Sequence, residues 1–237
     1  MLDKILNLIK GSQGLIDEAR RDSFEMITMG KEMFILALDA VQEETTSEVM
    51  KTLATMDKNV NELEMGVRKK VYTHLAISRG KDLLEGLQLN VIITDLERIG
   101  DEAQKLGILS ARLAAEVQPR EGYPELKTLG EHVQDMVHDA LDAFSRLDVG
   151  DALRVVEEDK YVDEEYDMIS RQCITLMMED PGTIRRFMDV SWAARALERI
   201  GDHAKNICEY VIYLVEGKDV RHLEIEDLRD QIGSASD

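Results

Sequence analysis

Two pairs of carboxylates, each four residues apart, carry the sharpest chemical signal in this sequence. Glu97 and Asp101 lie in Leu96-Glu97-Arg98-Ile99-Gly100-Asp101, and Glu198 and Asp202 in Leu197-Glu198-Arg199-Ile200-Gly201-Asp202. On a helix, residues four apart project from one face. Asp57, Asn61 and Glu64 form a second ladder, and Asp159 and Asp163 repeat its first step. Like charges at this spacing destabilise a helix by roughly a few tenths of a kcal/mol. Their occurrence twice over therefore calls for a compensating interaction. A shared cation is one: carboxylate oxygens are hard ligands, suited to Mg²⁺, Ca²⁺, Mn²⁺ or Fe³⁺. The competing explanation is a solvated acidic face, and the chain has 48 acids to form one. Gly100 and Gly201 sit inside the same blocks. A mid-helix Gly costs ~1 kcal/mol relative to Ala, so its repetition implies close approach by another helix, a ligand or a metal. Arg98 and Arg199 read as surface residues that pair with nearby acids such as Asp95.

Catalytic constellations are missing. The five histidines are His74, His132, His138, His203 and His222, and none completes a Glu-x-x-His step. A carboxylate-bridged oxidase in a helical bundle would want that step on two helices. Asp135 and His138 come nearest and read as a solvated pair. There is no Gly-rich phosphate loop and no nucleophile elbow. The expectation is a protein that is not an enzyme.

The elements that must position these acids follow from composition. The chain has 237 residues, with 29 Lys and Arg against 48 Asp and Glu, for a formal net charge of −19. Such a charge disfavours a phosphate backbone or an anionic bilayer as partner. Hydrophobic residues make up 44%, enough for a core. Three prolines and 5% aromatics, beside abundant Leu, Ala, Glu and Met, favour an all-α fold. Cys173 and Cys208 form no C-x-x-C pair and are expected to be buried thiols in a reducing cytoplasm. No apolar run approaches the ~18 residues of a membrane span. Residues 1–10 read as the start of an amphipathic helix, not a signal peptide.

The chain contains itself twice. The Leu-Glu-Arg-Ile-Gly-Asp blocks are offset by 101 residues, with Ala103 matched by Ala204. Asp57-Lys58-Asn59-Val60-Asn61 recurs as Asp159-Lys160-Tyr161-Val162-Asp163 at an offset of 102. Gly30 and Asp39-Ala40 match Gly130 and Asp139-Ala140 at 100. Ordered matches with small drift imply two copies of a unit of about a hundred residues. Each copy reads as three long helices, in the first copy roughly 15–43, 47–78 and 82–117. Leu53, Met56, Val60, Leu63, Val67 and Val71 follow a three-four rhythm, as do Leu89, Ile92, Leu96, Ile99, Ala103 and Leu106. Breaks are expected at Ser78-Arg79-Gly80, Pro119 to Pro124, Asp148-Val149-Gly150 and Asp180-Pro181-Gly182. The expected fold is two tandem three-helix bundles, six long helices in all. An N-terminal helical extension covers 1–14, the bundles cover 15–118 and 124–217, and a tail covers 218–237.

Two three-helix repeats, each with D-x-x-V-[ND] followed by L-E-R-I-G-D, resemble the PhoU family of phosphate-uptake regulators. The likeness is densest from Met177 to Ile184 and from Ala194 to Gly217, and spans roughly 20–220. Asp57, Glu64, Glu97 and Asp101 fall on the family's metal-associated acidic positions in the first repeat. Asp159, Asp163, Glu198 and Asp202 do so in the second. Tyr166 departs from the pattern, standing where Glu64 stands in the first repeat, with Glu165 or Asp167 as candidate substitutes. Ser78-Arg79-Gly80-Lys81-Asp82 also departs, replacing an Arg-Gln-Pro-type turn. The resemblance implies a metal-binding adaptor that negatively regulates phosphate signalling and uptake. It would sit between a phosphate ABC transporter and a phosphate-sensing histidine kinase, at the inner membrane face through those partners. It implies bound metal, iron first, with manganese, zinc, magnesium or calcium as further candidates, and a homodimer. The alternative is a helical interaction scaffold that works without metal.

Overall fold

A computed structural model of the chain describes residues 2–42, 47–78, 81–115 and 123–220. The chain splits into two compact units, Met1–Arg120 and Glu121–Asp237. The first holds α1 (Leu2–Gln42), α2 (Ser47–Ile77) and α3 (Lys81–Ala114). The second holds α4 (Pro124–Arg146), α5 (Val149–Glu179), a turn of 3-10 helix (Pro181–Thr183) and α6 (Ile184–Glu216). No strand occurs among the described residues. At 1.5 Å per residue, helices of 23 to 41 residues run about 35 to 60 Å. No helix among the described residues is long and apolar enough to cross a membrane.

In each unit every helix touches both others, so each is a closed three-helix bundle. The three-four rhythm explains why. Leu53, Val60, Val67 and Val71 of α2 are buried, as are Leu89, Ile92, Leu96, Ile99, Ala103 and Leu106 of α3. Met56 and Leu63 are half-buried at the edge of that seam. α1 closes the first core with Ile16, Met26, Met33 and Phe34. In the second unit Val190, Ala194, Leu197, Ala204, Ile207 and Val211 of α6 are buried against Leu129, Val133, Met136 and Val155, Val162 of the other two helices.

The element ends show where local chemistry competed with pattern. The helix expected from about residue 15 starts at Leu2, so 2–14 is continuous with the rest of α1. The break expected at Asp148-Val149-Gly150 is centred one to two residues earlier. Leu147 ends α4 in the left-handed conformation (φ 52), and Asp148 caps α5 by accepting from the Asp151 amide at 3.0 Å. Gly150 lies inside α5. At the last break Asp180 Oδ1 accepts from the Gly182 amide at 2.9 Å, and Pro181 opens the 3-10 turn. An N-cap acid before an N1 proline satisfies a donor and fixes φ at once. The breaks at Arg79-Gly80 and Pro119, and the tail from 221 onward, lie outside the described residues.

The duplicated glycines are helix-contact positions. A Cβ on Gly100 would stand 3.6 Å from Val60 Cγ1, and one on Gly201 3.4 Å from Val162 Cγ1. Both are ordinary contact distances. The glycines mark where α3 meets α2, and α6 meets α5, at matched valines, with room for a methyl group.

Candidate functional site

The two acid ladders of each copy lie on adjacent helices, and the fold brings each pair of ladders onto one face. In the first unit α2 carries Asp57 and Glu64, and α3 carries Glu97 and Asp101. All four are half-buried. Asp57 feels the charge of Asp101 across the helix pair, and Glu97 feels Asp101 and Glu64. Burial first, and these neighbours second, raise the carboxyls of Asp57 and Glu97 above the ordinary range.

The second unit repeats this on α5 and α6, more tightly. Asp159 and Glu198 are buried, Asp202 is half-buried and Asp163 is exposed. Burial and then Asp159 and Asp202 raise Asp163, and burial and then Asp159 raise Asp202. Glu198 is pushed up to about 7 by burial, with Asp202, Asp163 and Asp159 adding to it. Arg195 donates to Glu198 Oε1 at 2.5 Å, but burial and three neighbouring carboxylates outweigh that pairing. The other oxygen, Glu198 Oε2, is buried and has no hydrogen-bond partner.

Internal cations hold several of these acids, two of them at helical pairing distance, Arg68 four residues after Glu64 and Arg195 three before Glu198. In the first unit Arg68 of α2 donates through Nε and Nη2 to Glu64 Oε1. Arg98 lies 3.5 Å from Glu97 and 3.8 Å from Asp101, half exposed, as its surface reading implies. In the second unit the guanidinium comes from the other helix. Arg195 of α6 corresponds to Thr94, and Ser170 of α5 corresponds to Arg68. Arg195 stacks on the Tyr166 ring, 5.4 Å from its centroid, while pairing with Glu198. Tyr166, in the place of Glu64, thus offers an aromatic face to an arginine where the first unit offers it a carboxylate.

Neither candidate substitute takes the missing place. Glu165 lies 2.8 Å from His132 Nδ1 of α4, so it faces the other flank of α5. Asp167 is exposed and pairs with Arg171 at 3.4 Å. That other flank holds an open cavity of about 280 Å³ between α4 and α5, lined by His132, Asp135, Met136, Glu158, Tyr161 and Val162. Its lining includes none of the eight acids. Burial, then Asp139, raise the Glu158 carboxyl there.

The donor set suits a hard cation: oxygen ligands only, mutual repulsion, and one buried carboxylate oxygen without a partner. The side chains are not gathered into a cage. Among the described residues no three His, Cys, Asp or Glu side chains are grouped closely enough to hold one ion. Lys205, Arg195 and Arg68 hold Asp159, Glu198 and Glu64 instead. Neither cysteine belongs to these faces; both are buried free thiols, as their isolation in the sequence implied.

Similarity to known proteins converges on one family. The PhoU domain model matches residues 24–107 and 126–211, once per unit. The chain is 37% identical over 231 residues to the phosphate-specific transport system accessory protein PhoU of Escherichia coli, covering 94% of each. It is 41% identical over 191 residues to a homologue of that accessory protein in Pseudomonas putida, covering 80% of this chain and 75% of that one. The crystal structure of PhoU from Pseudomonas aeruginosa superposes with a TM-score of 0.82 at 37% identity, over 87% of this chain and 99% of the other.

Proposed function

The chain belongs to the PhoU family, and from that premise we propose that it is a non-enzymatic accessory protein of a phosphate-specific transport system. It restrains phosphate uptake and phosphate signalling when phosphate is plentiful, acting in the cytoplasm between the transporter and a sensor histidine kinase. The observation that carries this is similarity along nearly the full chain to accessory proteins of such systems. The absence of nucleophile, phosphate-loop and Glu-x-x-His patterns agrees with a binding role. Two bundles of long helices offer extended faces to partners, and a second copy of the chain is among them.

Metal binding forms part of the same reading. Asp57, Glu64, Glu97 and Asp101 would hold a hard cation in the first unit, and Asp159, Asp163, Glu198 and Asp202 in the second. When bound, the cation supplies positive charge that relieves the carboxylate repulsion and ties one helix of the pair to the other. The residues' own part is to present oxygens from two helices that pack together where Gly100 meets Val60 and Gly201 meets Val162.

A second reading has its own observation. Lys205, Arg195 and Arg68 already pair with acids of both faces, which favours a helical scaffold that works without metal. Elemental analysis of protein purified without chelator separates the two. Bound iron, manganese, zinc or magnesium, lost when Glu97, Asp101, Glu198 and Asp202 are together changed to Gln or Asn, supports the metal reading. Metal content unchanged by the fourfold change removes the site assignment, and no bound metal in the wild type favours the scaffold.

A further inference from the structure

The two acid faces are not chemically equivalent, and one exchange between the copies sets them apart. Lys205 of α6 stands where the first unit has Gln104 of α3, three residues after the duplicated Asp. Its ammonium donates to Asp159 Oδ2 at 2.6 Å. Asp159 corresponds to Asp57, and Gln104 makes the corresponding side-chain hydrogen bond to Asp57. A second exchange accompanies the first. Asp163 stands where the first unit has Asn61, which donates to Asp57 Oδ2 at 3.4 Å. The second unit has therefore replaced a neutral Asn and Gln by a charged Asp and Lys. These two exchanges add one negative and one positive charge and so cancel, while Tyr166 in place of Glu64 leaves the second face one charge less negative than the first.

We propose that Lys205 is the resident cation of the second face, so that the first unit takes an external divalent cation and the second takes one only by releasing Lys205 from Asp159. The inference rests on the metal reading above. Three observations carry it. The Asp159 side chain is 5% exposed, so it needs a partner, and the ammonium is the one it has. The Glu198 side chain is 8% exposed, with Oε2 unpartnered, so an acceptor remains for a further cation once the ammonium leaves. In the first unit Arg68 is held on Glu64, but the position facing Asp57 carries a neutral amide, which can turn its oxygen to a metal and does not repel it. An ammonium held on the same chain also competes at high effective concentration.

The test is calorimetric titration of the full chain with Mn²⁺ after chelator treatment. The wild type is expected to bind one ion tightly, lost in Asp101→Asn and kept in Asp202→Asn, with a second ion at least about tenfold weaker. An ammonium a few Å from a cation repels it by that order or more. Lys205→Gln should tighten the second site by about tenfold or more, and Lys205→Arg should not. Removing Lys205 leaves Asp159 buried without its counter-charge and could unfold the second bundle. Gln104→Lys gives the independent check, because it should weaken the tight site by a similar factor while leaving the second unit untouched. Two equal sites in the wild type, unaltered by Lys205→Gln and Gln104→Lys, would overturn the proposal and leave the metal reading intact. No Mn²⁺ binding by the wild type or any variant would overturn both.

Discussion

Replacing Glu198 by Gln in metal-free protein should stabilise the fold at pH 8 and do little at pH 5. The side chain is almost wholly buried among Asp202, Asp163 and Asp159, and its carboxyl is pushed from 4.5 up to about 7. Between those values the folded chain binds a proton that the unfolded chain lacks. The contribution of Glu198 to stability is therefore fully present below pH 4.5 and is lost as pH rises through 7. At about 1.4 kcal/mol per tenfold change in acidity constant, the loss at pH 8 is roughly 3 kcal/mol. Gln keeps the shape and still accepts from Arg195 through its carbonyl oxygen, but has no proton to release. For a chain of this size, a gain of that order raises Tm by about 6–12 °C. Melting followed by circular dichroism in chelator at pH 5 and pH 8 reads it. An equal shift at both pH values, or a lower Tm for the variant at pH 8, would show that Glu198 is held ionised by Arg195 and refute the electrostatics described here. Asp163, Asp202, Asp57 and Glu97 are raised for the same reasons, so the variant should keep a weaker slope of the same sign.

Three further outcomes are expected. Gly100→Ala should be neutral or stabilising by up to about 1 kcal/mol in denaturant melts, since helix propensity improves and its Cβ meets Val60 at an ordinary 3.6 Å, whereas Gly100→Leu should cost about 1–3 kcal/mol by overpacking. Leu147→Gly should stabilise by roughly 1 kcal/mol in the same assay, because the left-handed conformation there penalises a Cβ and the side chain is largely exposed. Both thiols should resist a disulfide reagent in the native state and react on unfolding, since burial pushes Cys173 up to about 11 and Cys208 higher still.

Much of this structure was legible in residue spacing. The apolar three-four rhythm in α2, α3 and α6 is enough to define a seam, and a seam on each of three consecutive helices closes a bundle. The offset of about a hundred residues fixed how many bundles. The acid ladders could be assigned to one face of their own helices, because four residues is one turn. Which helix faces meet is not given by spacing; the structure brings the charge of Asp57 beside Asp101 and that of Asp159 beside Asp202. Other features needed coordinates. Gly150 looked like a break, but the cap made by Asp148 and the left-handed Leu147 ends α4 earlier. Glu165 looked able to replace the acid missing at Tyr166. One residue is a rotation of about 100° on a helix, which turns its carboxylate toward His132 of α4. Arg68 and Arg195 stand at helical pairing distance from Glu64 and Glu198, but Lys205 was the least visible countercharge, since it meets Asp159 across a separation of 46 residues. Comparing Gln104 with Lys205 under the duplication was the signal that could have exposed it.

The most direct measurement of the regulatory role is made in cells. A bacterium lacking its own family member would carry this gene, and a phosphate-starvation reporter and phosphate uptake would be followed in phosphate-rich medium. The wild-type chain is expected to silence the reporter and limit uptake, while the empty strain leaves both high. A reporter and uptake rate indistinguishable between the two strains, with the protein expressed and folded, would contradict a role in restraining phosphate transport.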